Sequence, residues 1–249
     1  MNYRDKIIYL LQEHNQHTKE LTSIINNLQV PLNDIRQKIS IMGRYTSIPE
    51  FVDLDLPSGA QWMKCNLGAK TETDYGLYFQ FGSTEGKEGD EAINFSTWKT
   101  CPGNGENETA NEASLTTWNK SNANSKKVLK NSVDAVFSSL NGIAKLPTKE
   151  QIDELATNTT IYSYSNGLKF CSKKDPSKYI FFPTAGYVDN STLKEVGSNM
   201  MIWSSCIDPT DATGAYALKY TQGKVNETYI KRYYGGSIRG VLLNTLSYN

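Results

Sequence analysis

The side chains of this 249-residue chain that could carry acid–base, nucleophilic or metal chemistry are few and scattered. Both histidines, His14 and His17, fall within the first twenty residues. The rest of the chain therefore has no imidazole to activate a serine or cysteine, or to ligate a catalytic metal. Cys65, Cys101, Cys171 and Cys206 are widely spaced and form no Cys-x-x-Cys pair, which argues against a zinc site. Disulfides stay open, but the lack of an export signal points to free buried thiols. Glu150, Asp153 and Glu154 lie within one helical turn. A glycosidase needs two carboxyls flanking a sugar bond, but this spacing also describes a solvated helix face, the reading adopted here. Asp208-Pro-Thr-Asp211 holds two carboxylates in what reads as a turn. The glycines of "GSTEGKEGD" have neither the spacing nor the following apolar helix of a phosphate loop. The expectation is a protein that is not an enzyme, with no metal and no cofactor. Binding is the chemistry that remains.

Charge narrows the partners. Lys plus Arg and Asp plus Glu are equal at 26 each, and no basic run stands out. Nucleic acid and anionic membranes are therefore not expected as partners. No run approaches the roughly 18 apolar residues of a membrane span, so no membrane insertion is expected. The N-terminal apolar run is too short and too charged for a signal peptide, which places the chain in a cytosol until assembly.

Two kinds of element must position any binding residues. In steps of four and three from Ile7 come Leu11, His14, Thr18, Leu21, Ile25, Leu28, Leu32, Ile35, Ile39 and Met42. Nine of these eleven are apolar, and the period is that of a coiled coil roughly 50 Å long. Ile and Leu mix at both seam positions, which is compatible with three strands, and His14 and Thr18 make two polar layers that fix register. Pro31 falls beside the seam and predicts a kink or helix restart; Gly43 ends the helix. The expected organisation is a stem over 1–43, a linker over 44–50 and a head over 51–249. The alternative is an amphipathic helix folded onto its own head.

Beyond residue 50 the helical period gives way to short aromatic runs separated by Gly, Asn and Ser. Phe51–Ala69 alternates around Pro57-Ser-Gly, and Asp74–Gly82 reads as an aromatic strand, followed by mostly surface loop over 83–124. Helices are expected over Ser132–Leu140 and after Thr148, where Gln151 completes a capping box. Strands are expected over 168–171, 179–182, 200–205, 215–220, 229–233 and 237–243, with turns at Asp175-Pro, Asp189-Asn, Asp208-Pro and Gly235-Gly. This predicts an α+β head with a mainly antiparallel sheet and two helices.

The segments "VDLDLPSGAQWMKCNLGA", "DYGLYFQFG", "LTTWN", "AKLPTKEQIDEL", "NGLKF", "IFFPTAGYVDN", "IWSS", "AYALKY" and "GGSIRGV" occur in this order. Together they resemble the Fibrobacter succinogenes major paralogous domain, a C-type-lectin-like module, from about Val52 to Val241. The calcium-binding tripeptides of such lectins are absent, so no calcium is expected. A coiled coil before such a head resembles a fibre protein of tailed phages that infect Bacteroidetes, of the crAss-like group. The resemblance implies a homotrimeric virion fibre, at the head or the tail, assembled in the host cytoplasm. It would be docked to other virion proteins through the N-terminal segment and would bind host-surface glycan or protein. A purely decorating appendage and a bacterial cell-surface adhesin are the alternatives. In lectin-like phage proteins the C-terminal strands present the ligand surface. The corresponding candidates here are Asp208, Asp211, Asn226, Tyr229, Lys231, Arg232, Tyr233 and Tyr234. Tyrosine suits such a surface, with a large ring, two torsions to freeze and a polar tip. Trp203, Leu218, Val241, Tyr216 and Tyr220 read as core, and Arg239 as a buried anchor of the sheet.

Overall fold

The computed structural model describes residues 6, 13–23, 49–89 and 95–243. The chain divides into two compact units, Met1–Thr46 and Ser47–Asn249. In the first unit residues 13–23 are helical and every described side chain is exposed, Leu21 to 59%. His14, Thr18 and Leu21 share one face of this helix by their spacing. The Thr18 hydroxyl donates back to the His14 carbonyl at 2.8 Å, and Thr22 does the same to Thr18. The remaining expected seam positions, Ile7, Leu11, Ile25, Leu28, Leu32, Ile35, Ile39 and Met42, lie outside the described residues, as do Pro31 and Gly43. Among the described residues no helix is long and apolar enough to cross a membrane.

The second unit mixes helix and sheet, with sheet predominating. Its strands are β1 (Phe51–Asp53), β2 (Gln61–Met63), β3 (Tyr78–Gln80), β4 (Ala144–Lys145), β5 (Thr159–Tyr164), β6 (Gly167–Ser172), β7 (Tyr179–Pro183), β8 (Tyr187–Asp189), β9 (Thr192–Lys194), β10 (Met200–Ile207), β11 (Gly214–Thr221), β12 (Lys224–Lys231), β13 (Gly235–Ser237) and β14 (Val241–Leu242). Its helices are α1 (Glu112–Asn122), α2 (Ala135–Ser139) and α3 (Lys149–Asn158), with a 3-10 turn at Asn131–Val133. One sheet runs β1-β2-β14-β4 and a second β5-β6-β7. The largest runs β12-β11-β10-β13-β8-β9, with β3 also on β13. The β10–β13 pairing is parallel and the other named pairings are antiparallel.

Alternation decides what each strand buries. Met200, Ile202, Tyr216 and Leu218 point from β10 and β11 into the main core. There they meet Ile152 and Leu155 of α3, Phe170, Ile180 and Phe182 of the β5–β7 sheet, and Trp62 and Val241. Trp203 is 1% exposed, and Tyr220 packs against the same core as a partly buried neighbour. The opposite face of β10 carries Met201 and Trp203. Trp203 Nε1 donates to the Phe79 carbonyl at 2.9 Å, and its ring meets Phe81 edge-on.

Four expectations are corrected. Gly235-Gly is a strand, not a turn. A Cβ on Gly236 would sit 2.4 Å from Met201 Cε, so glycine is what lets β13 lie close to β10. The run expected as one strand over 237–243 is broken into β13 and β14, and the strand expected over 229–233 is shifted to 224–231. The head also holds three α-helices, because α1 lies inside the stretch read as loop. Its N-cap is Asn111, whose side chain accepts from Ser114 N, and its buried residues are Leu115 and Asn119. One of those two is polar, so the apolar period that announces a helix is missing.

The capping box on α3 is present: Thr148 Oγ1 accepts from Gln151 N and Gln151 Oε1 from Thr148 N. Asp134, 2% exposed, caps α2 by accepting from Val136 N and Phe137 N at 3.0 Å, and its other oxygen accepts from Leu146 N at 2.9 Å. Burial pushes its carboxyl pKa up, and these N–H donors oppose that. Asp134→Ala leaves three backbone donors without their acceptor. It is expected to cost about 2 kcal/mol in a urea unfolding curve, whereas Asp134→Asn retains part of the cap.

Candidate functional site

The structure divides the expected ligand residues among four places. Asp208 and Asp211 shape the loop between β10 and β11. Asp208 Oδ1 accepts from Thr210 N, Thr210 Oγ1 and Asp211 N, and Asp211 Oδ1 from Thr213 N and Oγ1. Lys231 reaches Asp211 at 3.1 Å and Thr213 Oγ1 at 2.6 Å. Hydrogen bonds from Thr213, and then from Lys231, hold the Asp211 carboxyl below its ordinary range. These carboxylates serve the turn.

Tyr229 stands opposite Tyr216 on β12, 36% exposed, with the rings edge-on at 5.0 Å. Tyr216 is only 4% exposed, and its hydroxyl donates to Asp153, which also pairs with Lys149. Glu154 accepts from Ser58 N and Oγ at 2.7 and 2.5 Å. The carboxylates read as a solvated face of α3 are thus partly structural, tying that helix to β11 and to the β1–β2 turn.

Arg232 is a correction. It is fully buried and cannot meet a ligand at the surface. Its Nη1 donates to Asn119 Oδ1 at 2.6 Å and its Nη2 to the Pro102 carbonyl at 3.0 Å. The guanidinium lies 4.3 Å from the centre of the Trp118 ring system. The side chain therefore fastens α1 and its preceding loop to the end of β12. Tyr233 is corrected in the same way: it is 7% exposed. Its hydroxyl donates to Asp189 Oδ1 at 2.7 Å, and Gln80 Nε2 donates to its carbonyl at 2.9 Å. Burial, then Asp189, raises its pKa.

Around Tyr233 the fold assembles a continuous run of four aromatic rings. Trp98 lies 4.7 Å from Tyr233, Tyr233 4.6 Å from Tyr234, and Tyr234 5.5 Å from Tyr187. Trp98, Tyr234 and Tyr187 are each half-buried. The run ends under Lys219, whose ammonium sits 5.0 Å from the Tyr187 ring centre. Lys219 stands directly opposite the exposed Asn226. Of the expected ligand residues, then, Asn226, Tyr233 and Tyr234 belong to one neighbourhood, and Tyr233 only as its base.

Local structure explains each placement. Trp98 is offered by a loop wound around buried Asn104. Its amide donates to the carbonyls of Trp98, Asn107 and Thr109, and its Oδ1 accepts from Asn111 N. Tyr187 and Asp189 come from the β8–β9 hairpin, whose Asn190 and Ser191 take positive φ. Lys194 closes that hairpin on Asp189 at 2.6 Å, which raises the lysine's pKa. With both oxygens engaged, Asp189 fixes the Tyr233 hydroxyl. Lys219, unlike Lys194, Lys231 and Lys149, makes no ion pair among the described residues.

Aromatic faces with phenol tips, the Lys219 ammonium and an exposed amide are groups that can stack on and hydrogen-bond a ligand. Among the described residues no three His, Cys, Asp or Glu side chains converge as a metal site, and all four cysteines are free, with Cys101, Cys171 and Cys206 buried. Trp98, Tyr187 and Lys219 were missing from the sequence reading. Lys219 could have been found there, because alternation places it opposite to Leu218. Trp98 and Tyr187 could not, since only tertiary structure brings their loop and hairpin together. Comparison with protein families, with curated proteins and with solved structures gives no match for this chain.

Proposed function

We propose that the chain is the subunit of a homotrimeric phage fibre, non-catalytic, carrying an outward C-type-lectin-like head that binds a glycan or protein on the host surface. In this reading the N-terminal coiled coil joins three chains and docks them to other virion proteins. The observation that carries the reading is the ring run Trp98–Tyr233–Tyr234–Tyr187 on the head, ending under the Lys219 ammonium. It supplies rigid contact area at low entropic cost beside Lys219, which has no ion-pair partner among the described residues. The heptad spacing of the first forty residues supports the stem.

The test is binding of full-length protein to Bacteroidetes cells. Tyr187→Ala combined with Tyr234→Ala is expected to lower cell-bound protein at least tenfold, with the melting temperature of the head little changed. Unchanged binding would remove the receptor role from this surface. A decorating appendage is the second reading. It is favoured by the burial of Arg232 and Tyr233, which spend their polar groups inside the head, and it predicts no cell binding by the wild type.

A further inference from the structure

Tyr162 and Tyr164 are the two most exposed aromatic side chains among the described residues, at 49% and 52%. Both lie on the edge strand β5 and, two residues apart, on the same face of the β5–β6–β7 sheet. Across that face Tyr162 stands opposite Lys169, which stands opposite Phe181, while Tyr164 stands opposite Gly167. The other face, with Ile161, Phe170, Ile180 and Phe182, goes to the core, so alternation commits these rings to the outside. Gly167 is required here. A Cβ would lie 2.5 Å from Phe181 Cζ, so its absence makes room for that ring, 6.4 Å from Tyr164. Lys169 places its ammonium 3.8 Å from the Tyr179 ring centre. It has no carboxylate partner among the described residues, whereas Lys178 nearby is paired with Asp55 at 2.7 Å.

We propose that this sheet face is a second ligand surface, separate from the Tyr187–Tyr234 run, and that it takes a glycan chain whose pyranose rings carry carboxylates. Three features select that class. Pyranose rings present flat C–H faces that stack on tyrosine, while the phenol tips reach their hydroxyls. Tyr162 and Tyr164 are spaced roughly 7 Å apart along the strand, so they can meet neighbouring rings of one chain. Lys169 lies in the middle row as a cation without a carboxylate among the described residues, complementary to a sugar carboxylate. A protein partner fits less well, because exposed Leu, Ile, Val or Met side chains that would form the apolar centre of such an interface are missing from this face.

The experiment titrates full-length protein with a galacturonate hexamer, its methyl ester, and sialylated and glucuronate-bearing oligosaccharides, read by calorimetry. At least one acidic oligosaccharide is expected to bind. Lys169→Gln and, for the hexamer, methyl esterification should each weaken binding at least tenfold, and Tyr162→Ser with Tyr164→Ser should abolish it. Tyr187→Ala with Tyr234→Ala should leave it intact. No binding by any acidic oligosaccharide overturns the proposal, as does equal affinity for the methyl ester or full binding by the Lys169→Gln protein. A self-association that Tyr164→Ser dissolves overturns it too, because the face would then be an interface between copies. Cell binding lost only in the Tyr187/Tyr234 variant would support the fibre-receptor reading while leaving this second surface to stand or fall on the oligosaccharide data.

Discussion

Full-length protein carrying Leu21→Asp and Ile25→Asp is expected to sediment as a single chain of 27.9 kDa, and the unsubstituted protein at about three times that mass. Leu21 lies on a helix whose described side chains are all exposed, and it alone is a large apolar residue there with 59% of its surface open. A leucine buried in a three-stranded seam contributes about 1.5–3 kcal/mol per chain. Replacing it sets three carboxylates in one layer, where like charges repel and lose water. Two such layers next to each other would exceed what the proposed stem of about five heptads could absorb, because its His14 and Thr18 layers would already be polar. The head should keep its melting transition, since its main core cluster is built from residues between Val52 and Val241. Leu21→Met, similar in volume, should stay oligomeric. A single-chain mass for the unsubstituted protein would overturn the stem, and with it the fibre.

How far the head could be read from sequence depended on where its information resides. The α3 cap was legible because Thr148 and Gln151 bond each other three residues apart. The β1–β2 hairpin and the strands β3, β10 and β11 were legible because they alternate around turn residues. The helix α1 was hidden because its buried face uses Asn119, which is buried only because Arg232, 113 residues away, needs an acceptor. The same bond explains the error over Arg232: an arginine beside three aromatics resembles a binding patch until α1 is folded over it. Gly235-Gly misled for a related reason. Glycine pairs more often mark turns, whereas here the missing side chains make room for Met201 and Trp203. Arg239 was legible as an anchor, flanked by glycine and strand, though its partner Asn66 lies 173 residues away.

That anchor carries the other large effect. Arg239 is fully buried between β13 and β14. Its Nε and Nη2 donate to Asn66 Oδ1 at 3.1 and 2.8 Å, and its guanidinium lies 4.1 Å from the Phe182 ring centre. Asn66 in turn donates to the Tyr75 carbonyl at 3.0 Å. One side chain thus ties the last strands to the loop after β2 and to β7. Burial without a hydrogen-bonded carboxylate pushes its pKa down, against the fields of Cys65 and Glu72, but a guanidinium stays charged at neutral pH. Arg239→Ala removes the contact with Phe182, opens a cavity and strands Asn66 Oδ1, and is expected to cost about 4 kcal/mol in urea unfolding. Arg239→Lys keeps the charge but loses the planar fork, placing a more strongly hydrated ammonium against Phe182, and should cost about 3 kcal/mol. Arg239→Met removes the charge and retains most of the volume, so its cost should stay near the 1–2 kcal/mol of one unpaired acceptor. The order Met, Lys, Ala from least to most damaging is the decisive readout. If lysine were the mildest of the three, the charge itself would be what Arg239 contributes, and the account of a planar strut resting on Phe182 would be wrong.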